Sequence, residues 1–197
     1  AEICGNGLRA LTLFLLKYNA LGSEQIIESK DGIHEIKFQG NKPKVRMFIF
    51  KESLKEKTLH IDNKKIKGYI INSGVPHFVI LTEDIENPKI METAKKVRFN
   101  SFFEPSGTNV DFIKKTKSGK IMIRTYERGV EAETLSCGSG AVAAYYIGRK
   151  ILKLKSPIKV ISKGGELIVS EEKDKIFLSG EVKEVYRGIF DLADIQF

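Results

Sequence analysis

Cys4-Gly5-Asn6-Gly7 and Cys137-Gly138-Ser139-Gly140 decide the fold of this chain. Each tetrapeptide opens a run with helical apolar spacing. After the first come Leu8, Leu11, Leu15 and Tyr18, with Leu13, Phe14 and Leu16 widening the stripe and Gly22 as a stop. After the second come Ala141, Ala144, Tyr145 and Ile151, with basic residues in the last turns, where the helix dipole favours cations. The spacing predicts helices over Gly5–Tyr18 and Gly140–Leu154, and a helix apolar on nearly all sides belongs in the middle of a fold. Both cysteines of the protein occupy the same place in this repeat, and a group of hairpin strands follows each copy. An internal duplication giving two pseudo-equivalent halves is the simplest account.

Most of the remaining sequence reads as short strands. Ile26–Ser29, Glu35–Phe38 and Lys44–Phe50 are divided by Asp31-Gly32 and Gly40-Asn41, which are hairpin signals. Gly68–Asn72, Phe78–Leu81, Val110–Lys114 and Ile121–Thr125 follow, the last two joined across Ser118-Gly119. Ile158–Ser162, Glu166–Ser170 and Lys175–Ser179 close the pattern, with turns at Gly164-Gly165 and at Glu171 to Asp174. Glu86–Lys96 reads as a short third helix. Many short strands with few helices favour antiparallel sheets wrapped around helices over alternating β-α-β winding.

Composition narrows the function classes. The 197 residues are 42% apolar and 29% charged, as in an ordinary globular protein. The longest apolar run, Ala141 to Ile147, is too short to span a bilayer. Two cysteines cannot make a disulfide framework, and with three scattered histidines they make a structural zinc site an unlikely reading. The net charge of +8 is spread along the chain, and its densest groups, Lys64, Lys65, Lys67 and Lys114, Lys115, Lys117, read as solvated turns rather than a nucleic-acid face. His34 and His60, in turn-rich or charged stretches, read as surface residues.

The repeated motif carries chemistry. A cysteine at a helix start feels the positive end of the dipole and free N–H groups, which favour thiolate, with pKa values at such positions falling to about 3.5–7.5. Flanking glycines let a carboxylate approach the amides of the first turn. Two such half-sites across a cleft suit inversion at carbon: one sulfur removes a proton and the other returns one on the opposite face, with no cofactor. The rival reading of each cysteine alone is a small buried hydrophobe.

Five blocks extend the pattern: Cys4-Gly5-Asn6-Gly7-Leu8-Arg9, Gly74-Val75-Pro76-His77, Gly107-Thr108-Asn109-Val110-Asp111-Phe112, Glu127-Arg128-Gly129 and Glu133-Thr134-Leu135-Ser136-Cys137-Gly138-Ser139-Gly140. In this order they resemble the diaminopimelate epimerase family of cofactor-independent amino-acid epimerases. The resemblance implies an α/β (α+β) fold of two similar halves, each an antiparallel barrel-like sheet around a central helix, with the active site between them. It also implies the conversion of LL-2,6-diaminopimelate to the meso isomer in lysine and cell-wall precursor synthesis, with Cys4 and Cys137 as the two bases. Gly5 and Asn6, with Gly138 and Ser139, resemble the cradle for the substrate α-carboxylate. Asn109 resembles a substrate contact, and Glu127 and Arg128 the pair that grips the distal amino-acid end. His77 and Glu127 resemble the groups that set cysteine protonation. No metal or other cofactor is implied.

Two departures stand out. Val75 occupies the place of a family asparagine and cannot make its hydrogen bond, for which Asn72 or Ser73 is a candidate replacement; Gly129 to Glu133 is one residue longer than the common spacing. The family's N-terminal strands have no counterpart upstream of Ala1, so the chain reads as a fragment that requires that segment. The expected halves are residues 1–50 with 186–197, the incomplete one, and residues 51–185. A cytoplasmic enzyme with a small amino-acid substrate, no nucleic-acid or membrane partner and room for a homodimer is expected. A racemase of another amino acid, a binding module that lost the chemistry, and a thiol redox protein remain alternatives.

Overall fold

The computed structural model describes residues 4–18, 25–39 and 42–188. Helix α1 spans Gly5–Lys17 and is followed by β1 (Gln25–Ser29), β2 (Gly32–Gln39), β3 (Lys42–Met47), β4 (Phe50–Ile61), β5 (Lys64–Asn72) and β6 (Pro76–Leu81). Next come α2 (Ile90–Arg98), β7 (Asn109–Lys115), β8 (Ile121–Glu127), β9 (Ala132–Thr134), α3 (Gly138–Lys150), β10 (Ile158–Ser162), β11 (Gly165–Glu172) and β12 (Lys175–Gly180). The expected stop at Gly22, the turn at Gly40-Asn41 and most of the segment 186–197 lie outside the described residues.

These strands form one 12-stranded sheet in the order β1-β2-β3-β12-β11-β10-β8-β7-β6-β5-β4, with β9 paired to β8. Two-residue turns close several hairpins, and Asp62-Asn63 and Lys173-Asp174 take the positive φ that such turns require. Pairing is antiparallel except at β6·β7 and β8·β10. Those are the two connections that contain a helix, α2 in one and α3 in the other, and a parallel pair needs a crossover of that length. The mixed α+β class therefore holds, with two parallel pairs inside a largely antiparallel sheet.

The sheet curls round α3, which touches β5 to β8 and β10 to β12. Every residue from Gly138 to Gly148 is buried. Small residues make this approach possible: a Cβ on Gly148 would lie 2.8 Å from Ile121 Cδ1. By contrast α1 packs against β3, β12 and the start of α3, burying Gly5, Leu8, Arg9 and Thr12 while Leu11, Phe14 and Tyr18 stay exposed.

Three local expectations change. The apolar run Lys44–Phe50 ends at Met47, and Phe50 instead begins the long β4, through a charged stretch that carried no strand signal. The third helix starts at Ile90 rather than Glu86. His34 is fully buried rather than on the surface. It shares the inward face of β2 with Ile36, and both ring nitrogens have partners: Nδ1 lies 2.8 Å from the Arg46 carbonyl, and Nε2 lies 2.9 Å from Ser29 Oγ and 3.1 Å from Asp31 Oδ1. His60 is exposed.

Candidate active site

Each cysteine is the N-cap of its helix. Cys4 (φ −138°, ψ 90°) and Cys137 (φ −123°, ψ 115°) both adopt extended backbone, and each Sγ accepts from the N–H three residues on, Gly7 at 3.2 Å and Gly140 at 3.3 Å. Cys4 is exposed and Cys137 half-buried. The two helix starts meet backbone to backbone. A Cβ on Gly138 would lie 3.3 Å from Gly5 Cα, and Leu178 Cδ2 lies 3.0 Å and 3.1 Å from the Cβ positions of Gly5 and Gly138. Asn6 Nδ2 reaches across to the Ser136 carbonyl at 3.4 Å. Residues far apart in sequence thus bring two dipole ends and two sulfurs to one place.

Strand ends supply the polar groups beneath Cys137. His77 on β6 and Asn109 on β7 are register partners, and Asp111 shares a face with Asn109 and lies opposite Thr125 on β8. His77 and Asp111 have fully buried side chains, with Nδ1 2.6 Å from Asp111 Oδ2. Thr125 Oγ1 donates to Asp111 Oδ1 at 2.7 Å. On the other side of the ring, Nε2 lies 3.0 Å from Ser139 Oγ and 3.3 Å from Asn109 Nδ2. An amide N–H can only donate, so Nε2 is the acceptor and Nδ1 carries the proton toward Asp111. Ser139 Oγ lies 3.4 Å from Cys137 Sγ, completing a chain from sulfur through hydroxyl and imidazole to carboxylate.

Electrostatics reverse the expectation for Cys137. Burial pushes its thiol up to about 12, and the charges of Asp111 and Glu127 add to the rise. The hydrogen bonds from Ser139 and Gly140 pull the other way and are outweighed. The helix start is real, but desolvation beside two carboxylates wins, so Cys137 is held as the thiol.

The remaining predicted residues flank this pair. Glu127 is half-buried at the end of β8, and its charge is felt at Cys137. Arg128 donates its backbone N–H to Asn109 Oδ1 at 2.7 Å and Nη1 to the Ser106 carbonyl at 3.0 Å. The longer spacing after Gly129 is absorbed in the β8·β9 turn, where Glu131 takes φ 56° and its N–H donates to the Glu127 carbonyl at 2.9 Å. Gly107 takes φ +68°, a left-handed conformation that favours glycine, and a Cβ there would also displace the end of the Arg98 side chain. Among the described residues, no group of three or more His, Cys, Asp or Glu side chains is placed to hold a metal ion.

Known proteins resemble this chain in sequence. The family profile described as Diaminopimelate epimerase matches residues 69–185. A diaminopimelate epimerase of Aquifex aeolicus is 38% identical over 193 residues, covering 95% of this chain and 69% of that protein. Another, of Archaeoglobus fulgidus, is 32% identical and covers 100% and 74%. The chain belongs to the diaminopimelate epimerase family. It is an isomerase. Solved structures of similar fold include a PhzC/PhzF protein of Clostridium difficile (TM-score 0.68, 11% identity, 98% of this chain and 74% of that one). A hydroxyproline epimerase of Agrobacterium vitis is also similar (TM-score 0.63, 14% identity, 89% and 62%).

Within this member of the family, residues beyond those read from sequence join the site. Asp111, itself held by Thr125, supports His77 from below, and Ser73, fully buried, donates to the Ser139 carbonyl at 2.9 Å. Ser73 is thereby engaged at the start of α3, while Asn72 Oδ1 is buried without a hydrogen-bond partner among the described residues. Asp111 carried a readable signal, a single carboxylate inside the apolar strand Val110 to Ile113. Ser73 was legible only as a candidate replacement for the family asparagine, and Thr125 carried no signal.

Proposed function

We propose that the chain converts LL-2,6-diaminopimelate to the meso isomer with Cys4 and Cys137 as opposed acid and base. The observation that carries this reading is the contact between Gly5 and Gly138, which sets two cysteine-capped helix starts against each other. For one isomer, the Cys4 thiolate takes the α-proton from one face of the carbon and the Cys137 thiol delivers a proton to the other. The freed electron pair is delocalised into the α-carboxylate, cradled by the amides of Gly5, Asn6, Gly138 and Ser139 at two positive dipole ends. The negative charge left on Cys137 is met by the Ser139 hydroxyl, whose single proton turns from His77 Nε2 to the sulfur while the Asn109 amide keeps Nε2 partnered. The other isomer runs the same steps in reverse.

Glu127 and Arg128 take the distal ammonium and carboxylate in this reading, the arginine through its forked donors. Asn109 uses one amide N–H on His77 and keeps the other for substrate. The exposed face of α1, with Phe14 at 57%, supports the part of the reading in which further strands cover that helix. No helix among the described residues is long and apolar enough to cross a membrane, and we place the enzyme in the cytoplasm, in lysine synthesis. The test is incubation with LL- and meso-diaminopimelate, proline and other amino acids in heavy water. Loss of the α-proton signal with interconversion of the diaminopimelate isomers is expected; exchange only with another amino acid overturns the substrate assignment.

A further inference from the structure

Counting from each cysteine, Gly5, Asn6, Gly7, Leu8 and Arg9 of α1 correspond to Gly138, Ser139, Gly140, Ala141 and Val142 of α3. Val142 is core, as its position demands. Arg9 is also buried, only 6% exposed, which is rare for a guanidinium without a carboxylate partner. Its Nη2 donates to Asn6 Oδ1 at 3.0 Å, while Nε and Nη1 are buried with no hydrogen-bond partner among the described residues. Asn6 in turn donates to the Ser136 carbonyl, one residue before the second cysteine. A buried, half-satisfied cation is unfavourable for the fold. Burial lowers the pKa of Arg9 from its ordinary value, and the negative charge of Cys4 is the interaction that opposes this. The cavity beside Arg9, about 560 Å³, also carries Lys42, Glu166, Glu181 and Lys183. On the other side of the site the charges felt at Cys137 are the carboxylates of Asp111 and Glu127.

We propose that Arg9 is a positioning residue of the epimerisation site, holding Asn6 across to the chain that enters α3 and presenting the positive charge that faces Cys4 when that sulfur is the thiolate. This rests on the two-cysteine reading. It gives the pair a polarity: a cation on the Cys4 side and carboxylates on the Cys137 side.

Alkylation with iodoacetamide across a pH series, with each cysteine followed by mass spectrometry, tests this on the full chain. In Arg9→Gln the midpoint for Cys4 should rise by about one pH unit or more, the size of effect a neighbouring charge exerts. The midpoint for Cys137 should stay in place. Arg9→Lys keeps the charge and loses the Nη2 bond to Asn6, so its Cys4 midpoint should stay near wild type while KM rises. An unchanged Cys4 midpoint in Arg9→Gln, or an Arg9→Lys profile displaced as far as Arg9→Gln, overturns the proposal. Should Arg9→Gln fail to fold, the wild-type chain decides, because a Cys4 midpoint at or above that of Cys137 is incompatible with the proposed polarity. Normal turnover by Cys4→Ala would sink the two-base reading separately, and the alkylation profiles do not depend on turnover.

Discussion

The two helix starts share a backbone device and differ in almost everything that surrounds it. Cys4 and Cys137 cap their helices with the same extended geometry and the same bond from the third N–H. Cys137 itself is half-buried, but what lies beneath it is closed: α3 is buried through Gly148, and Ser139, His77 and Asp111 form a partnered chain below the sulfur. Around Cys4 the helix is half open and the polar support is one buried arginine acting through Asn6. A duplicated cap sets where two sulfurs and two dipoles go. The side chains packed beneath each cap set which sulfur keeps its proton.

The comparison breaks first at the sulfurs. Cys4→Ala and Cys137→Ala should each lower epimerisation by roughly 10²–10⁴-fold or more in both directions, because each isomer uses one cysteine as base and the other as acid. Steady-state rates from both isomers measure this, and near-normal rates in either variant would end the symmetrical reading. Second in size is the closed side of the site. His77→Ala leaves the buried Asp111 with the Thr125 hydroxyl in place of its charge-matched ring partner, so the expected loss is about 3–5 kcal/mol of stability in urea unfolding together with a fall in kcat. Arg9→Lys, which touches only the open side, should leave the unfolding midpoint much nearer wild type.

A pH series sharpens the contrast further. The folded-state thiol of Cys137 lies at about 12 against an ordinary 9.0, so the native chain binds this proton more tightly than the unfolded chain does. The corresponding contribution is complete below about pH 9 and is lost as pH rises toward about 12. Urea midpoints should therefore fall across that window in the wild type, and fall less steeply in Cys137→Ala; parallel curves would show that Cys137 is not the group responsible. The smallest effect belongs to Val75→Asn, which restores an amide next to Pro76 and His77. One added hydrogen bond of about 1 kcal/mol corresponds to a KM lower by about fivefold, and an unchanged KM would place that contact elsewhere.

The elements that sequence reading located are those whose signal is local. The helix starts were visible because cysteine, glycine and an apolar stripe recur together, and the hairpins because turn residues punctuate alternating runs. Residues 51–61 escaped because only Leu59 on that strand is buried, and the stretch is held by its backbone pairing with β5 rather than by an apolar face. His34 was misplaced because a polar turn beside it reads as surface, although its spacing from Ile36 and Phe38 put it on the inward face.

The sequence alone determined the pair of cysteine-capped helices and the α+β class, since these follow from short-range pattern and residue chemistry. Tertiary structure decided the rest. The contact between Gly5 and Gly138, the burial of His77 against Asp111, and the rise of the Cys137 thiol all depend on what distant segments place within a few ångströms. A helix dipole can be read from a motif, but the desolvation and neighbouring carboxylates that outweigh it exist only once β6, β7 and β8 have closed around α3.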